Sequence, residues 1–329
     1  MSSQAVSQTS SLVLSRSGDK MPIVGFGCWK VPKDITEHTV EQAIREGYRL
    51  FDGAADYGNE VEVGRGIANA IKAGVVTREE LFVTTKLWNT YHKKEHVRLA
   101  FEKQLKDLGL DYVDLYLVHF PISLEFVPIE TKYPPEWYVP GTDKSKLADN
   151  APLHELWPEM EKLVDEGLAR NIGVSNFNVQ LIMDLWSYAR IKPQVLQIEI
   201  HPYLPQTDLV NFVHGLGMQV TAYSTFGPAS FVELEMAHAV NATPLFDHPV
   251  ITTVASRHSR APAQILLRWA VQRGLAIIPK TSNRERLKQN LDLLSFSLTD
   301  KDLAEIRSVE NGLRLNNPPK YGIALPIFC

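Results

Sequence analysis

Four ionisable side chains stand at or just beyond the ends of three strand-like segments. Asp52 and Tyr57 follow the first segment, Lys86 ends the second, and His119 ends the third. In barrels of alternating strands and helices, the carboxyl ends of the strands share one face, where side chains from several strands meet. The placement therefore predicts that these four side chains converge.

Together, the four side chains could protonate a carbonyl oxygen. A tyrosine has an ordinary pKa of about 10, and a neighbouring ammonium would stabilise the phenolate and move that pKa toward neutrality. Lys86 would supply the ammonium, Asp52 would keep it charged and oriented, and His119 would donate a hydrogen bond to the substrate oxygen. Each residue alone has an ordinary structural explanation. Their joint placement at three consecutive strand ends favours catalysis.

Apolar strand-like runs alternate with amphipathic helical patterns along the chain, which is typical of parallel strand-helix-strand units. We predict an α/β fold, a (β/α)8 TIM barrel, with its active site at the C-terminal face and long loops above it. The first helix is predicted to follow Asp34, capped with Glu37, and to end at Gly47. The eight predicted strands are residues 23–26, 48–52, 81–86, 113–119, 169–174, 195–198, 218–222 and 275–278.

Three segments depart from the alternation of strands and helices. Residues 121–151 and 225–260 each follow a strand end, so both are predicted to overhang the active-site face. The tail 311–329 is a third irregular segment. With no shift of composition along the chain, residues 1–329 are assigned to one domain. Residues 1–11 are polar and rich in Ser and Gln, and are predicted to be disordered.

The composition points to a small-molecule partner. The chain has 329 residues, 44% of them hydrophobic, and a formal net charge of −4, which gives no case for binding nucleic acid or an acidic membrane. No segment has the pattern of a signal peptide or of a bilayer-spanning helix. Cys28 and Cys329 are too few for a disulfide framework, so we predict a cytoplasmic protein.

Three other patterns suggest different chemistry. Residues 92–96, His-Lys-Lys-Glu-His, fit a zinc-protease motif, but flanking lysines at the start of an outer helix favour a solvated face and no metal. The Gly-Phe-Gly of residues 25–27 lacks the third glycine of a Rossmann turn, so a dinucleotide would be bound by barrel loops. Acidic residues between 52 and 60 could form a glycosidase pair, but that leaves Lys86 unexplained.

Polar side chains at the later strand ends could bind a carboxamide. Ser175, Asn176 and Gln197 offer donors and acceptors at the ends of strands five and six. Tyr223 ends strand seven, and its ring could stack on a nicotinamide. Each residue alone could also be structural, Asn176 in a turn and Tyr223 in the core.

Three motifs, spread over nearly the whole chain, resemble the aldo-keto reductase superfamily. They are residues 53–60 (Gly-Ala-Ala-Asp-Tyr-Gly-Asn-Glu), 173–177 (Gly-Val-Ser-Asn-Phe) and 278–286 (Ile-Pro-Lys-Thr-Ser-Asn-Arg-Glu-Arg). Further motifs look most like fungal xylose (aldose) reductases, namely residues 24–30, 119–122, 126–130, 133–135 and 230–233. This resemblance implies NAD(P)H-dependent reduction of an open-chain aldose, such as D-xylose, to its polyol.

The resemblance also implies a role for each matching residue. Tyr57 would be the general acid, with its pKa lowered by Lys86, while Asp52 pairs with Lys86 and His119 orients the carbonyl. The sugar would contact Trp29, Asp56, His119, Phe120 and Asn316. The cofactor would contact Ser175, Asn176, Gln197, Tyr223, Ser224, Glu233, Lys280, Thr281, Ser282, Arg286 and Asn290. A homodimer, a cofactor-covering loop at 225–260 and a substrate-pocket tail at 311–329 are implied as well.

The cofactor motif departs from that of yeast enzymes that use both cofactors. Those enzymes read Lys-Ser-Asn where this chain has Lys280, Thr281 and Ser282. Glu233, which resembles the acceptor of the NADH ribose hydroxyls, is present. The resemblance implies that Lys280 and Arg286 lie beside a 2′-phosphate, which predicts preference for NADPH with weaker use of NADH.

The tail departs from the same yeast enzymes, with Asn-Asn-Pro-Pro at residues 316–319 in place of Asn-Asp-Pro-Trp. A changed pocket leaves two alternatives to an aldose reductase. One is reduction of another aldehyde, such as erythrose, glyceraldehyde or a uronate, by the same mechanism. The other is a catalytically silent subunit that binds a dinucleotide.

Overall fold

The computed structural model describes residues 10–321 and 323–328. Within them, a short antiparallel hairpin precedes eight parallel strands. The hairpin strands are β1 (Ser11–Val13) and β2 (Lys20–Pro22). The parallel strands are β3 (Gly25–Gly27), β4 (Leu50–Asp52), β5 (Phe82–Leu87), β6 (Val113–Val118), β7 (Ala169–Ser175), β8 (Val195–Glu199), β9 (Gln219–Tyr223) and β10 (Ala276–Ile277).

The eight parallel strands form a barrel, as the sequence predicted. They follow one another in chain order from β3 to β10. Val24 forms a parallel bridge to Ile277, and the Ile277 N–H donates to Ile23 O at 2.9 Å, so the first and last strands close the sheet. The carboxyl ends of all eight strands therefore surround one opening.

Helices connect the strands and cover the barrel. They are α1 (Lys33–Glu46), α2 (Glu60–Lys72), α3 (Lys94–Leu108), α4 (Leu153–Asp165), α5 (Val179–Tyr188), α6 (Thr207–Gly215), α7 (Ala237–Val240), α8 (Pro249–His258), α9 (Pro262–Gln272), α10 (Arg284–Leu291) and α11 (Asp300–Arg307). In α1, Val40, Ala43 and Ile44 form the buried stripe, and Gly47 ends the helix at a φ of 108°. Asp34 lies inside the first turn, because Pro32 precedes the helix, so its predicted capping role is wrong.

The hairpin closes the N-terminal end of the barrel and was not predicted. Leu14 and Met21 pack against side chains from the first positions of several strands, including Leu50, Phe82 and Val195. Most of the predicted disordered segment, residues 1–9, lies outside the described residues, but Ser11 already belongs to β1. The short alternating pattern of a two-stranded hairpin gives little signal in a sequence.

The two long segments differ in structure. The first, residues 121–151, has neither helix nor ladder strand among the described residues. The second, residues 225–260, contains α7 and α8, so the irregular part is shorter than predicted. After α11, the tail runs back across the barrel opening, where Asn316 and Ile323 line a cavity.

Two features are absent from residues 10–321 and 323–328. No helix in this range is long and apolar enough to cross a bilayer. In the same range, no group of three or more His, Cys, Asp or Glu side chains is arranged to hold a metal ion.

Close packing of α2 against α1 predicts a stability effect at Gly66. A Cβ added there would lie 2.6 Å from Glu37 O and 2.8 Å from Val40 Cβ. Because the helices would have to separate, we expect Gly66→Ala to lower the free energy of unfolding by about 1–3 kcal/mol, measured by urea denaturation. The control is Gly215→Ala in α6, where nothing lies within 4 Å. Equal effects of the two substitutions would contradict the packing argument.

Candidate active site

The predicted catalytic residues meet around one buried ammonium group. Lys86 lies in β5 and is 0% exposed. Its Nζ donates to Asp52 Oδ1 at 2.6 Å, Gly53 O at 2.8 Å and Tyr57 Oη at 3.0 Å. An ammonium has three protons, and these three acceptors use all of them. Since the Tyr57 oxygen accepts a hydrogen bond from Lys86, the phenol O–H is available to donate to another group.

Asp52 holds the ammonium in place and is itself held from across the barrel. It is the last residue of β4 and is buried. Its Oδ1 accepts from Lys86, and its Oδ2 accepts from Gln197 Nε2 at 2.7 Å. The sequence predicted Gln197 as a cofactor contact, and the structure adds that its amide nitrogen orients Asp52. Strands β4 and β8 lie on opposite sides of the barrel, so this pairing has no local signal.

Burial controls the protonation of Tyr57. It raises the pKa of Tyr57 well above the ordinary value, and the charges of Asp52 and Asp56 add to this. The sequence predicted the opposite direction for this pKa, because it counted Lys86 without the loss of solvent or the nearby acids. Tyr57 is therefore a neutral phenol that retains its proton. Lys86 lies where it would stabilise the phenolate once that proton is transferred.

His119 is a buried neutral imidazole beside Tyr57. It follows β6, and its ring stacks on Phe120 with centroids 5.0 Å apart and lies 5.9 Å from the Tyr57 ring. Burial, Lys86 and His92 together lower the pKa of His119 well below its ordinary value. A neutral imidazole can donate one hydrogen bond without adding a charge to the site.

The four residues adjoin a cavity of about 460 Å³ at the C-terminal face of the barrel, and Asp52, Tyr57 and His119 line it. All the predicted substrate residues line it as well, namely Trp29, Asp56, His119, Phe120 and Asn316. So do seven predicted cofactor residues, namely Ser175, Asn176, Gln197, Tyr223, Ser224, Glu233 and Lys280. Within the described part of the chain, Thr281, Ser282, Arg286 and Asn290 are outside this lining.

Those four residues belong to the segment that leads into α10 and to the helix itself. Thr281 Oγ1 accepts from the Asn283 N–H at 3.1 Å, and Asn283 Oδ1 accepts from the Arg286 N–H at 3.0 Å. Arg286 thus lies in the exposed first turn of α10, while Asn290 is buried near its end. The amino end of a helix favours anions, and Lys280 and Arg286 flank this one.

The polar residues predicted to bind a carboxamide are paired with one another. Tyr223 Oη donates to Asn176 Oδ1 at 2.6 Å, and Asn176 Nδ2 donates to His119 O at 2.9 Å. Ser175 Oγ donates to Gln197 O at 2.9 Å. Asn316 Nδ2 donates to Tyr223 Oη at 2.7 Å and connects the tail to this network.

Several residues of the cavity wall were missed. Trp137 lies in the segment 121–151, with its ring centroid 4.9 Å from those of Phe120 and Trp88. Lys30 forms an ion pair with Glu233 across the mouth of the cavity. The aromatic content of 121–151 and its position after a strand end were the available signals for Trp137. Tyr138, Phe226, Leu234 and Ile323 also line the cavity; each lies in a segment that was predicted to cover the site, but none was named individually.

His92 is not part of a solvated face, contrary to the prediction from residues 92–96. It precedes α3, is buried, and lies 3.2 Å from Ser123 Oγ through its Nδ1. Burial lowers the pKa of His92 to about 3. The lysines that follow it suggested exposure, but the short turn before α3 directs this side chain inward.

Asp56 is predicted to impose a pH dependence on carbonyl reduction. Burial raises the pKa of Asp56 to about 7, Glu136 adds to this, and Lys86 opposes it. The carboxyl is therefore neutral below pH 7 and negative above it, where its charge disfavours the negative oxygen formed beside Tyr57. We expect kcat/KM for an aldehyde to fall as pH rises through 7, and Asp56→Asn to abolish this step.

The matched control for this pH profile is Glu60→Gln. Burial also raises the pKa of Glu60 to about 7, but this carboxyl accepts from Thr85 Oγ1 and Gln104 Nε2 behind the site. The pH step should persist in this variant. If the pH step survives Asp56→Asn and disappears in Glu60→Gln, the titrating group is Glu60 and the assignment to Asp56 is wrong.

Comparison with known proteins places this geometry in a family. The family model described as "Aldo/keto reductase family" matches residues 23–311. A probable NAD(P)H-dependent D-xylose reductase of Arthroderma otae is 55% identical, with 100% of both chains covered. The 4-dihydromethyl-trisporate dehydrogenase of Mucor mucedo is 56% identical over 97% of this chain and 99% of the relative.

A solved structure shares the same architecture. The aldose reductase of Schistosoma japonicum is 35% identical and superimposes with a TM-score of 0.85, covering 95% of this chain and 96% of that one. The residues that the family model matches include Asp52, Tyr57, Lys86 and His119. This chain is an oxidoreductase that belongs to the aldo/keto reductase family.

Proposed function

We propose that this protein reduces an open-chain aldose, D-xylose or a related pentose, to its polyol with NADPH. The observation that carries the proposal is the phenol of Tyr57, which accepts from Lys86 and lines the cavity. A polar and aromatic wall, including Asp56, Asn316 and Trp29, suits a sugar chain with several hydroxyls. Several relatives at 52–55% identity carry the name D-xylose reductase.

The protein residues would orient the carbonyl and move one proton. His119, as a neutral imidazole, would donate a hydrogen bond to the carbonyl oxygen. As negative charge develops on that oxygen, Tyr57 would transfer its proton to it, because an alkoxide is a stronger base than a phenolate. The resulting phenolate would be stabilised by Lys86 at 3.0 Å, whose charge Asp52 balances.

The cavity residues fit a nicotinamide cofactor. The lining extends from Tyr57 to Lys280 and includes the aromatic ring of Tyr223, on which a flat nicotinamide could stack. When bound, the reduced nicotinamide supplies the hydride. Asn176 and Gln197 would hold the carboxamide through atoms or lone pairs that their contacts with Tyr223 and Asp52 leave available.

We further propose a preference for NADPH over NADH. Lys280 lines the cavity and can pair with a 2′-phosphate. Glu233, which would accept the ribose hydroxyls of NADH, already pairs with Lys30 and lies 4.0 Å from Lys280. Binding NADH through Glu233 would have to compete with these cations, which supports weaker use of NADH.

A second candidate function is oxidation of a larger alcohol with NADP⁺. The Mucor mucedo relative, at 56% identity, is named a dehydrogenase of 4-dihydromethyl-trisporate. Phe226, Leu234 and Ile323 add an apolar side to the cavity, which a sugar would not require. The proton would then move from the alcohol to Tyr57, which would have to be a phenolate, a form that its raised pKa disfavours.

The substrate assignment is tested by steady-state NADPH oxidation with D-xylose, L-arabinose, D-erythrose, DL-glyceraldehyde and D-galacturonate at equal concentrations. Oxidation of 4-dihydromethyl-trisporate with NADP⁺ is measured in parallel. We expect the highest kcat/KM with the pentoses. A clear preference for a short aldehyde, the uronate or the trisporate alcohol would replace the aldose assignment.

The mechanistic control in this assay is Tyr57→Phe. Loss of the general acid should lower turnover by roughly 10²- to 10⁴-fold, while NADPH affinity stays near that of the parent. Equal activity in the variant would refute the proton-donor role. An absence of turnover in the parent protein, with NADPH still bound, would favour the silent dinucleotide-binding subunit.

The cofactor assignment predicts a selective effect of Lys280→Ala. Losing a charge-assisted hydrogen bond should raise the Kd for NADPH by roughly ten- to a hundredfold and leave the Kd for NADH nearly unchanged. Quenching of protein fluorescence measures both constants. Lys288→Ala is the control, since Lys288 is an exposed lysine of α10 outside the cavity lining. Parallel weakening of both cofactors by Lys280→Ala would contradict contact with the 2′-phosphate.

The remaining proposals concern the location of the protein, its assembly and its domain extent. We propose a cytoplasmic location, supported by the presence of only two cysteines and by the buried free thiol of Cys28. A homodimer and one domain over residues 1–329 are likewise proposed. No part of the proposed chemistry requires nucleic acid or a membrane.

A further inference from the structure

We infer that the buried carboxylate of Glu199 is a positioning residue that holds two separate segments over the cavity as one cap. The cap consists of residues 227–240, in the loop after β9, and residues 311–316 of the tail. The inference rests on the proposed function, because the two segments would contact the cofactor and the substrate respectively. It adds a residue that none of the sequence motifs identified.

Glu199 fastens the tail to the barrel through two consecutive backbone amides. It is the last residue of β8 and is 0% exposed. Its Oε1 accepts from the Leu315 N–H at 2.9 Å, and its Oε2 accepts from the Asn316 N–H at 2.8 Å. The Nε2 of buried His201 lies 2.7 Å from Oε1. Both carboxylate oxygens therefore have hydrogen-bonding partners.

Glu199 remains ionised in spite of its burial. Burial opposes ionisation, but hydrogen bonds from His201 and from the two tail amides outweigh it and lower the pKa of Glu199. A carboxylate is an acceptor only, which matches the donors around it. A carboxamide of the same shape has only one acceptor oxygen and would direct its NH₂ group at a donor.

The tail and the loop are packed together. Leu315 is buried in a small apolar cluster with Phe231, Met236 and Ala239 of the loop. His238 Nε2 lies 3.1 Å from Leu315 O. Residues 227–240 therefore rest on the part of the tail that Glu199 holds.

The loop also contacts the barrel close to Glu199. Gly227, at a φ of +59°, places its α-carbon beside the ring of His201, since a Cβ there would lie 3.6 Å from the ring carbon. His201 thus lies between Glu199 and the start of the loop. The buried pair of Glu199 and His201 therefore contacts the tail and lies close to the start of the loop.

The cap reaches the proposed substrate and cofactor residues directly. From the tail, Asn316 donates to Tyr223, which donates to Asn176, and Asn176 donates to the backbone oxygen of His119. From the loop, Glu233 lines the cavity beside Lys280. Ordering one segment should favour the other, so binding of cofactor and substrate should be coupled through the cap.

The test is Glu199→Gln, with Glu161→Gln as a matched control. Glu161 in α4 is also buried, and its Oε1 accepts from the consecutive N–H groups of Arg190 and Ile191 at 2.7 and 2.8 Å. It lies outside the cavity lining of the described residues. Glu161 accepts both amides on Oε1, which a glutamine keeps, while its Oε2 lies 3.4 Å from Arg190 Nε. Glu161→Gln therefore removes the ion pair with Arg190, and Glu199→Gln removes an acceptor from one tail amide, so both should lower the melting temperature.

Only Glu199→Gln should change binding. We expect it to raise the KM for the preferred aldehyde by roughly tenfold and the Kd for NADPH by roughly threefold or more, because buried amides lose an acceptor. The value of kcat at saturation should stay within about threefold, since Lys86, Asp52 and Tyr57 are untouched. Unchanged KM and Kd, with a melting temperature lowered as in Glu161→Gln, would overturn the inference.

Hydrogen exchange of the parent protein gives a second test that does not depend on the variant folding. Adding NADPH should slow exchange at least threefold in peptides covering 311–316 as well as in those covering 227–240. Slowing confined to the loop would mean that the two segments respond separately and would overturn the cap. Failure to bind NADPH at all would instead overturn the proposed function.

Discussion

The site depends on one constraint, which is that the positive charge of Lys86 is removed from water at the centre of the barrel opening. A buried ammonium is costly unless every proton has an acceptor and a counter-charge lies nearby. Asp52, Gly53 and Tyr57 meet that need at 2.6–3.0 Å. Gln197 fixes the second oxygen of Asp52, so the geometry around Tyr57 is determined from both sides of the barrel.

In this arrangement, Tyr57 keeps its proton until the substrate oxygen becomes basic enough to take it. Burial keeps the phenol neutral, with its pKa raised, and the ammonium that it accepts from is already oriented. In the resting state, the protein therefore does not lower the pKa of Tyr57. It offers stabilisation that becomes large when negative charge moves onto the phenol oxygen, in surroundings where solvent does not screen it.

The barrel uses a buried charge at a strand end for a second purpose at Glu199. Lys86 organises reacting groups, whereas Glu199 organises the backbone of a distant segment by accepting from two of its amides. Glu199 is the last residue of β8 and Lys86 is the last but one of β5, and the pairing of these strands fixes the position of both side chains. The tail segment can thus cover the cavity in a defined way, because a buried side chain of the barrel holds its backbone.

The sequence by itself determined the barrel and the four central residues, because periodic apolar strands and strand-end polar residues are local patterns that short windows reveal. It also indicated that residues 121–151 overhang the site. Only the tertiary structure decided that Gln197 orients Asp52, that burial outweighs Lys86 in setting the pKa of Tyr57, that His92 is buried, and that Glu199 holds the tail. Each of these depends on residues brought together from distant parts of the chain, or on loss of solvent, and neither is encoded in local spacing.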